Sequence, residues 1–227
     1  MRIGCVLVGC VLLAFSCAVA AQRAVSFPSY DKIGELQGDL YGGGTRGVVL
    51  AHGGRFDKGS WLKQAQVLAN AGFVVLAIRF RGDSANPDGS PSSEGSDQDN
   101  GKDVLAGVAY LRSQGAKNIA VVGASLGGDA AGFAARLSPG GIDRIVFLGS
   151  SGGDASEKIG GRKLFIVARD DRNSEGPRLP KITAGYAKTP EPKRLLVVEG
   201  SAHAQFLFAT GEGPRVLDEI VRFLSMP

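Results

Sequence analysis

The stretch from Ile119 to Leu137, IAVVGASLGGDAAGFAARL, decides the fold. It opens with the apolar run Ile119–Val122, which is typical of a strand buried on both faces, and its second half, from Asp129 to Leu137, is predicted to be helical. Between them lies Gly123-Ala124-Ser125-Leu126-Gly127, which fits the pattern G-x-S-x-G. A serine at the apex of a sharp strand-to-helix turn needs glycine on both sides, so that neighbouring backbone can pass without a clash. Ser125 is therefore the candidate nucleophile.

Five more apolar runs of this kind occur along the chain. They are Val48–Ala51, Phe73–Ile78, Ile145–Leu148, Leu164–Ala168 and Leu195–Val198. Three other segments carry apolar residues at helical spacing. These residues are Trp61, Ala65 and Leu68, then Val104, Val108 and Leu111, and finally Val216, Leu217, Ile220, Val221 and Leu224 after Pro214. Alternating strands and helices predict an α/β fold, with a mostly parallel, doubly wound sheet in a single domain over residues 21–227.

The segments between these elements carry weaker signals. Tyr30–Tyr41 is predicted as a weak hairpin before the first parallel strand. Gly82–Gly101, which is rich in Asp, Ser, Gly, Asn and Pro, is predicted as a long surface loop, and Arg172–Pro180 as a shorter one. Gly42–Gly47 matches G-x-G-x-x-G, but it precedes a strand, whereas a dinucleotide site would follow one and open a helix. Gly149–Arg162, about fourteen residues, is too short to hold a helical lid.

A serine hydroxyl needs a base to take its proton, and the chain has only two histidines. His203 follows the last apolar run, at the carboxyl end of a predicted strand, where the sites of open α/β sheets gather. A carboxylate must then orient the imidazole. Asp170 and Asp171 both follow Leu164–Ala168; we favour Asp171 as the acid and keep Asp170 as the alternative.

The oxyanion of an acyl-transfer reaction needs backbone N–H donors. The N–H of Leu126, directly after the nucleophile, is the first candidate. The second is predicted to come from Gly54 or Arg55, with Gly53 less favoured, because these residues follow the strand that ends at Ala51. The other histidine, His52, is predicted to hold this loop through hydrogen bonds without transferring a proton.

The first twenty residues resemble a cleavable secretory signal. Arg2 is followed by an apolar run from Ile3 that ends in small residues at Ala20. A retained anchor is less favoured, because the run is at the lower limit for a membrane span. A lipoprotein is also less favoured: Leu7-Val8-Gly9-Cys10 resembles a lipid-attachment box but leaves too short an apolar stretch before the cysteine, and Ala14-Phe15-Ser16-Cys17 fits the box poorly. Cleavage after Ala20 would leave a periplasmic or secreted protein without stable membrane insertion. It would also remove all three cysteines, Cys5, Cys10 and Cys17, and with them thiol nucleophiles, disulfides and metal thiolates.

The composition narrows the function classes further. With 44% hydrophobic and 21% charged residues, the chain is typical of a globular protein. Its net charge of +4 is mildly basic, but no Lys/Arg cluster with interleaved aromatic residues suggests nucleic-acid binding. No His/Cys cluster, H-E-x-x-H motif or Ca²⁺ loop occurs, so we predict no metal and no cofactor.

These motifs together resemble a small α/β-hydrolase of the dienelactone-hydrolase/esterase type. The resemblance covers the early hairpin, His52-Gly53-Gly54-Arg55, the Ser125 motif, Asp170-Asp171, and His203 before a final helix. It implies an eight-stranded, mostly parallel sheet and the hydrolysis of esters or related acyl compounds. Dienelactone hydrolases carry cysteine at the nucleophile position. Ser125 therefore puts the dienelactone substrate in doubt and favours a serine esterase.

The expected activity is cleavage of small or exposed carboxylic esters through an acyl-enzyme. A peptidase or a thioesterase would use the same three side chains, so both stay open as alternatives. A non-catalytic binding protein of the same fold is the alternative from another class. Such a protein would have no reason to keep a serine, an acid and a base together, and candidates for all three are present.

Overall fold

The computed structural model describes residues 21–86 and 88–227. The segment predicted as a secretory signal, residues 1–20, lies outside the described residues. The described chain is built around an eight-stranded sheet, whose strands are β1 (Arg23–Pro28), β2 (Glu35–Gly42), β3 (Arg46–Ala51), β4 (Val74–Ile78), β7 (Asn118–Ala124), β8 (Arg144–Leu148), β9 (Arg162–Ala168) and β12 (Lys193–Val198). Their order across the sheet is β1-β2-β4-β3-β7-β8-β9-β12. The remaining short strands form two separate ribbons, β5 (Asp83–Ala85) with β6 (Pro91–Ser93), and β10 (Arg172–Asn173) with β11 (Gly176–Pro177).

The predicted fold class is confirmed. The six apolar runs lie in six strands, except for Phe73, which immediately precedes β4. These six strands run parallel to one another, whereas β2 pairs antiparallel with both β4 and β1 and so adds an antiparallel edge. Both faces are covered by helices, because the strands are apolar on both sides. The helices are α1 (Leu62–Asn70), α2 (Asp97–Ser113), α3 (Leu126–Leu137), α4 (Arg178–Lys188) and α5 (Gly213–Ser225).

The two faces of the sheet carry separate apolar cores. On one face α2, α3 and α4 pack through residues such as Val104, Ala131 and Ile182. On the other face α1 and α5 pack through residues such as Leu68 and Ile220. This two-sided burial makes the sheet a rigid support for the loops at the carboxyl ends of its strands. Among residues 21–86 and 88–227, no helix has the length and apolarity needed to cross a bilayer.

The early hairpin begins nearer the N-terminus than the sequence predicted. Its first strand is β1, Arg23–Pro28, and its second is β2, whereas the prediction confined the hairpin to Tyr30–Tyr41. β1 is an edge strand in which only Phe27 is fully buried and Val25 partly so. Such a strand gives little apolar periodicity, and this explains why the sequence pattern did not reveal it.

The prediction of one long surface loop over Gly82–Gly101 was wrong. The segment contains the β5–β6 ribbon, and α2 already begins at Asp97, with the Ser96 hydroxyl accepting the N–H of Asp99 at 3.1 Å. The polar first turn of α2 hides the helical signal. Gly101 is needed there, because a Cβ at this position would lie 2.6 Å from Phe133 on α3.

The prediction of a loop over Arg172–Pro180 was also wrong. It contains the β10–β11 ribbon, and α4 begins at Arg178. The helix was missed because it includes Pro180 and Gly185 and fully buries one apolar side chain, that of Ile182. Proline is tolerated in the first helical turn, where the backbone N–H has no helical partner.

Two predictions about connections agree with the structure. Gly42–Gly47 spans the end of β2 and the start of β3, and forms the turn between them. The connection from β8 to β9 holds one short 3₁₀ turn, Ser156–Lys158, so that no helical lid is present within these described residues.

Close packing of α3 against the loop after β8 generates a stability prediction. A Cβ at Gly132 would lie 2.0 Å from the carbonyl oxygen of Gly152, whereas a Cβ at Gly211 would meet no atom within 4 Å. We expect Gly132→Ala to destabilise the protein by about 1–3 kcal/mol, because a backbone oxygen cannot rotate away. This would lower Tm by roughly 2–4 °C per kcal/mol. Thermal unfolding of Gly132→Ala beside Gly211→Ala is the measurement, and equal Tm values for the two variants would contradict the packing described here.

Candidate active site

Ser125 stands between β7 and α3 in a backbone conformation that non-glycine residues rarely adopt, with φ 50° and ψ −116°. The turn is possible because glycine flanks it. A Cβ at Gly123 would lie 2.3 Å from the carbonyl oxygen of Gly127, and a Cβ at Gly127 would lie 2.2 Å from the carbonyl oxygen of Ala51. The backbone N–H of Ser125 donates to the carbonyl of Leu148 at 2.9 Å, which ties the turn to β8.

His203 lies beside Ser125. It follows β12, and its Nε2 is 2.8 Å from the Ser125 Oγ. Gly149, at the end of β8, makes room for the imidazole, because a Cβ there would approach His203 Cε1 to 3.1 Å. The base predicted from the sequence is thus within hydrogen-bond reach of the predicted nucleophile.

Asp171 completes a hydrogen-bonded chain with these two residues. Its Oδ2 is 2.7 Å from Nδ1 of His203, and its side chain is almost fully buried. Asp170 is exposed; its backbone N–H donates to Gly200, and its carboxylate makes no hydrogen bond to His203 in the described chain. Of the two candidate acids, the structure brings Asp171 to the imidazole.

The acid, base and serine fix the proton positions by their hydrogen bonds. An ionised Asp171 can only accept, so Nδ1 of His203 must donate to it. Nε2 then carries the lone pair and accepts the hydroxyl proton of Ser125, the arrangement that a base for this serine requires. The second oxygen of Asp171, Oδ1, lies 3.5 Å from Nε of Arg178, whose backbone N–H donates to the Asp171 carbonyl.

The candidate oxyanion donors lie on two neighbouring elements. Leu126 is the first residue of α3, and Gly53–Phe56 forms a turn after β3 that we call the oxyanion turn, closed by the Phe56 N–H donating to the Gly53 carbonyl at 3.0 Å. β3 and β7 are adjacent and parallel. A Cβ on Gly54 would lie 3.7 Å from the Leu126 side chain. The structure therefore brings the two candidate sources of N–H groups together.

The N–H groups of the oxyanion turn are not equivalent. That of Gly53 donates to Oε1 of Gln205 at 2.8 Å, so it is already engaged. Within the described chain, the N–H groups of Gly54, Arg55 and Leu126 donate to no backbone acceptor. Gly53 is therefore the least suitable of the three as an oxyanion donor, and the roles of Gly54 and Arg55 stay predictions.

His52 is fully buried behind the oxyanion turn. Its Nδ1 lies 3.1 Å from the carbonyl oxygen of Gly53, and its Nε2 lies 3.1 Å from Oδ2 of Asp83 in the β5–β6 ribbon. Both ring nitrogens are thus engaged away from Ser125. These are the loop-holding hydrogen bonds that the sequence analysis expected of this histidine.

A cleft of about 300 Å³ opens beside Ser125. Its walls are mainly polar, and the long apolar side chain among them is that of Ile182. The other side chains lining it are Asp97, Asp129, Ser150, Ser151, Asp154, Arg178 and Lys181. Burial raises the pKa of the Asp129 carboxyl above its usual value, whereas a hydrogen bond from Ser150 partly opposes this rise and the nearby charge of Asp97 adds to it.

Several of these residues were not identified from the sequence. Asp129, Arg178 and Gln205 are singled out only by what they contact in space, and Asp83 lay in a segment interpreted as loop. Gln205 stands two positions after His203, but no motif marks it. Among the described residues, no group of His, Cys, Asp and Glu side chains is arranged to hold a metal ion.

The architecture is shared with several solved hydrolase structures. A dienelactone hydrolase from Anabaena variabilis has a TM-score of 0.70 at 19% identity, over 90% of this chain and 97% of its own. A CIB-like hydrolase from Thermoplasma acidophilum gives 0.71 at 18% identity, over 90% and 98%. An esterase from Pyrococcus furiosus gives 0.66 at 18% identity, over 91% and 92%. At these identities the likeness concerns the fold.

Sequence comparison assigns the family. No curated protein matches the chain at a significant level. Residues 48–219 match the family described as the alpha/beta hydrolase family, a segment that runs from β3 into α5 and includes Ser125, Asp171 and His203. The chain therefore belongs to the alpha/beta hydrolase family.

Proposed function

We propose that the protein is a serine hydrolase that cleaves carboxylic esters through an acyl-enzyme. The observation that carries this proposal is the unbroken chain from Asp171 Oδ2 through His203 to Ser125 Oγ, with hydrogen-bond distances of 2.7 and 2.8 Å. A buried carboxylate, an imidazole and a half-buried serine hydroxyl in this order provide an activated oxygen nucleophile. Membership of a hydrolase family supports the same class of reaction.

The reaction follows from these positions. Ser125 Oγ attacks the ester carbonyl while His203 Nε2 takes its proton, and Asp171 stabilises the imidazolium that forms. The N–H groups of Leu126 and of Gly54 or Arg55 hold the oxyanion of the tetrahedral intermediate. His203 then gives its proton to the departing alkoxide, leaving the acyl group on Ser125. Water, deprotonated by His203, attacks the acyl-enzyme and releases the acid.

The cleft favours small, hydrophilic esters. It is open and lined by carboxylate, hydroxyl and cationic side chains, with Ile182 as its one long apolar side chain in the described lining. A long acyl chain placed there would lose water without gaining apolar contact, because apolar burial is what makes its transfer favourable. The similar structures include an esterase, a dienelactone hydrolase and an acylaminoacyl peptidase, so the fold suits either an ester or a peptide, and a short ester is the first substrate class to test because of the small polar cleft.

The first prediction concerns the nucleophile. Ser125→Ala should abolish hydrolysis of p-nitrophenyl acetate and labelling by a fluorophosphonate probe, because both need the Ser125 oxygen. The variant should keep the wild-type circular dichroism spectrum, since the alanine Cβ fits the same turn. Ser151→Ala, which changes another serine that lines the cleft, is the matched control and should retain labelling. Labelling that survives in Ser125→Ala would overturn the proposal.

The second prediction separates the two candidate acids. Asp171→Asn should lower kcat by about 10³- to 10⁴-fold, because an amide no longer fixes the imidazole tautomer or stabilises its charge. Asp170→Asn should stay within about twofold of the wild type, since that side chain is exposed and does not contact His203. Steady-state kinetics on one ester measures both variants. The reverse ranking would show that the acid is Asp170.

The third prediction concerns acyl length. In an apolar acyl groove, each buried methylene of the substrate would lower the free energy of the transition state by about 0.8 kcal/mol. This corresponds to a roughly fourfold higher kcat/KM for each methylene. In the polar cleft we expect no such gain, so kcat/KM should be equal or lower for p-nitrophenyl octanoate than for the butyrate. A tenfold or larger preference for octanoate, measured below its aggregation limit and corrected with Ser125→Ala, would contradict the assignment of substrate class.

A further inference from the structure

The tripeptide His203-Ala204-Gln205 reaches both halves of the candidate site. His203 contacts Ser125, whereas the Gln205 side chain contacts Gly53 at the start of the oxyanion turn. The divergence comes from Ala204, which is buried and has a φ of 50°, in the left-handed region. Alanine rarely adopts this conformation. At Ala204 it allows His203 to contact Ser125 while Gln205 contacts Gly53.

Gln205 is itself buried, with 6% of its surface exposed, and both ends of its amide are engaged. Oε1 accepts the N–H of Gly53 at 2.8 Å, and Nε2 donates to the hydroxyl of Ser60 at 2.8 Å. The amide orientation is therefore fixed by its partners: a donor faces Oε1 and a hydroxyl faces Nε2. Gly53 would otherwise have a buried N–H without a partner, which proteins rarely tolerate.

The bond to Gly53 bears on the geometry of the oxyanion turn. Gly53 is the first residue of that turn, and its carbonyl accepts from Phe56 and lies beside Nδ1 of His52. Its N–H is held by Gln205. With both polar groups of Gly53 fixed, the next two peptide units are held in position, and these carry the N–H groups of Gly54 and Arg55.

We propose that Gln205 is a positioning residue that couples the base to the oxyanion turn. By holding Gly53, it sets the N–H groups of Gly54 and Arg55 at the distance that the oxyanion requires, on the same short segment that presents His203 to Ser125. This inference rests on the proposed serine-hydrolase function. Gln205 touches no reacting atom in this scheme; it acts through Gly53.

The effect should fall on the chemical step. A displacement of about 1 Å in a catalytic donor can cost 10²-fold in rate. Gln205→Met keeps a long, unbranched side chain of similar size and removes both hydrogen-bonding groups. We expect it to lower kcat on p-nitrophenyl acetate by about 10- to 100-fold, with KM within about twofold of the wild type. Ser60→Ala removes the hydroxyl that accepts from Nε2 and donates to the Asp57 carbonyl, but it leaves the bond from Gly53 to Oε1, so kcat should fall less than in Gln205→Met.

A transition-state mimic distinguishes this role from a general loss of structure. An alkyl trifluoromethyl ketone adds the Ser125 oxygen to its carbonyl carbon, and the carbonyl oxygen becomes an oxyanion that needs the same donors. Its inhibition constant should rise in Gln205→Met by the same factor by which kcat/KM falls. If Gln205→Met does not fold, Gln205→Asn provides the same test, because its amide is one methylene too short to reach Gly53.

The outcomes separate the two proposals. Wild-type activity that disappears in Ser125→Ala, together with a tenfold or larger kcat loss and weaker ketone binding in folded Gln205→Met, supports the role of Gln205. An active wild type with kcat unchanged in Gln205→Met, or with an unchanged ketone inhibition constant, overturns the role of Gln205 and leaves the proposed function intact. A wild type without hydrolytic activity overturns both.

Discussion

The site depends on one close backbone approach, where the start of α3 lies against the carboxyl ends of β7 and β3. Carbonyl oxygens occupy the space that a Cβ at Gly123 or Gly127 would need. Only with glycine at both positions can the chain reverse direction within one residue and leave Ser125 at the apex with a positive φ. The reversal places Ser125 at the wall of the cleft, with Leu126 as the next residue of the chain. Without this contact, neither the candidate nucleophile nor the first candidate oxyanion donor would be in place.

The parallel sheet gathers the other groups around that turn. The oxyanion turn follows β3, Asp171 follows β9 and His203 follows β12. Residues far apart in sequence therefore meet at the carboxyl ends of the parallel strands. Local constraints then refine each position: Gly149 makes room for the imidazole, and the N–H of Gly53 is bound by a side chain 152 residues away. The candidate machinery is thus supported by a rigid sheet and adjusted by a few buried hydrogen bonds.

The parts of the fold that sequence alone predicted are those in which burial leaves a periodic or compositional signal. The six parallel strands are apolar on both faces, and the glycines around Ser125 follow from the sharp turn. The edge strand β1 and helix α4 gave no such signal, because each fully buries a single apolar side chain. In the site, two histidines and two neighbouring aspartates left few choices. Gln205 and Asp83 could not be found in this way, because their roles depend on contacts across the fold.

We propose above all that Ser125 carries the acyl group during turnover. The most direct measurement uses p-nitrophenyl dimethylcarbamate, whose carbamoyl group leaves serine slowly, followed by digestion and mass spectrometry of the peptides. The account predicts one dimethylcarbamoyl group per active enzyme, located on Ser125, and a loss of esterase activity in proportion to its formation. Inactivated enzyme with an unmodified Ser125, or with the group on another residue, would contradict it.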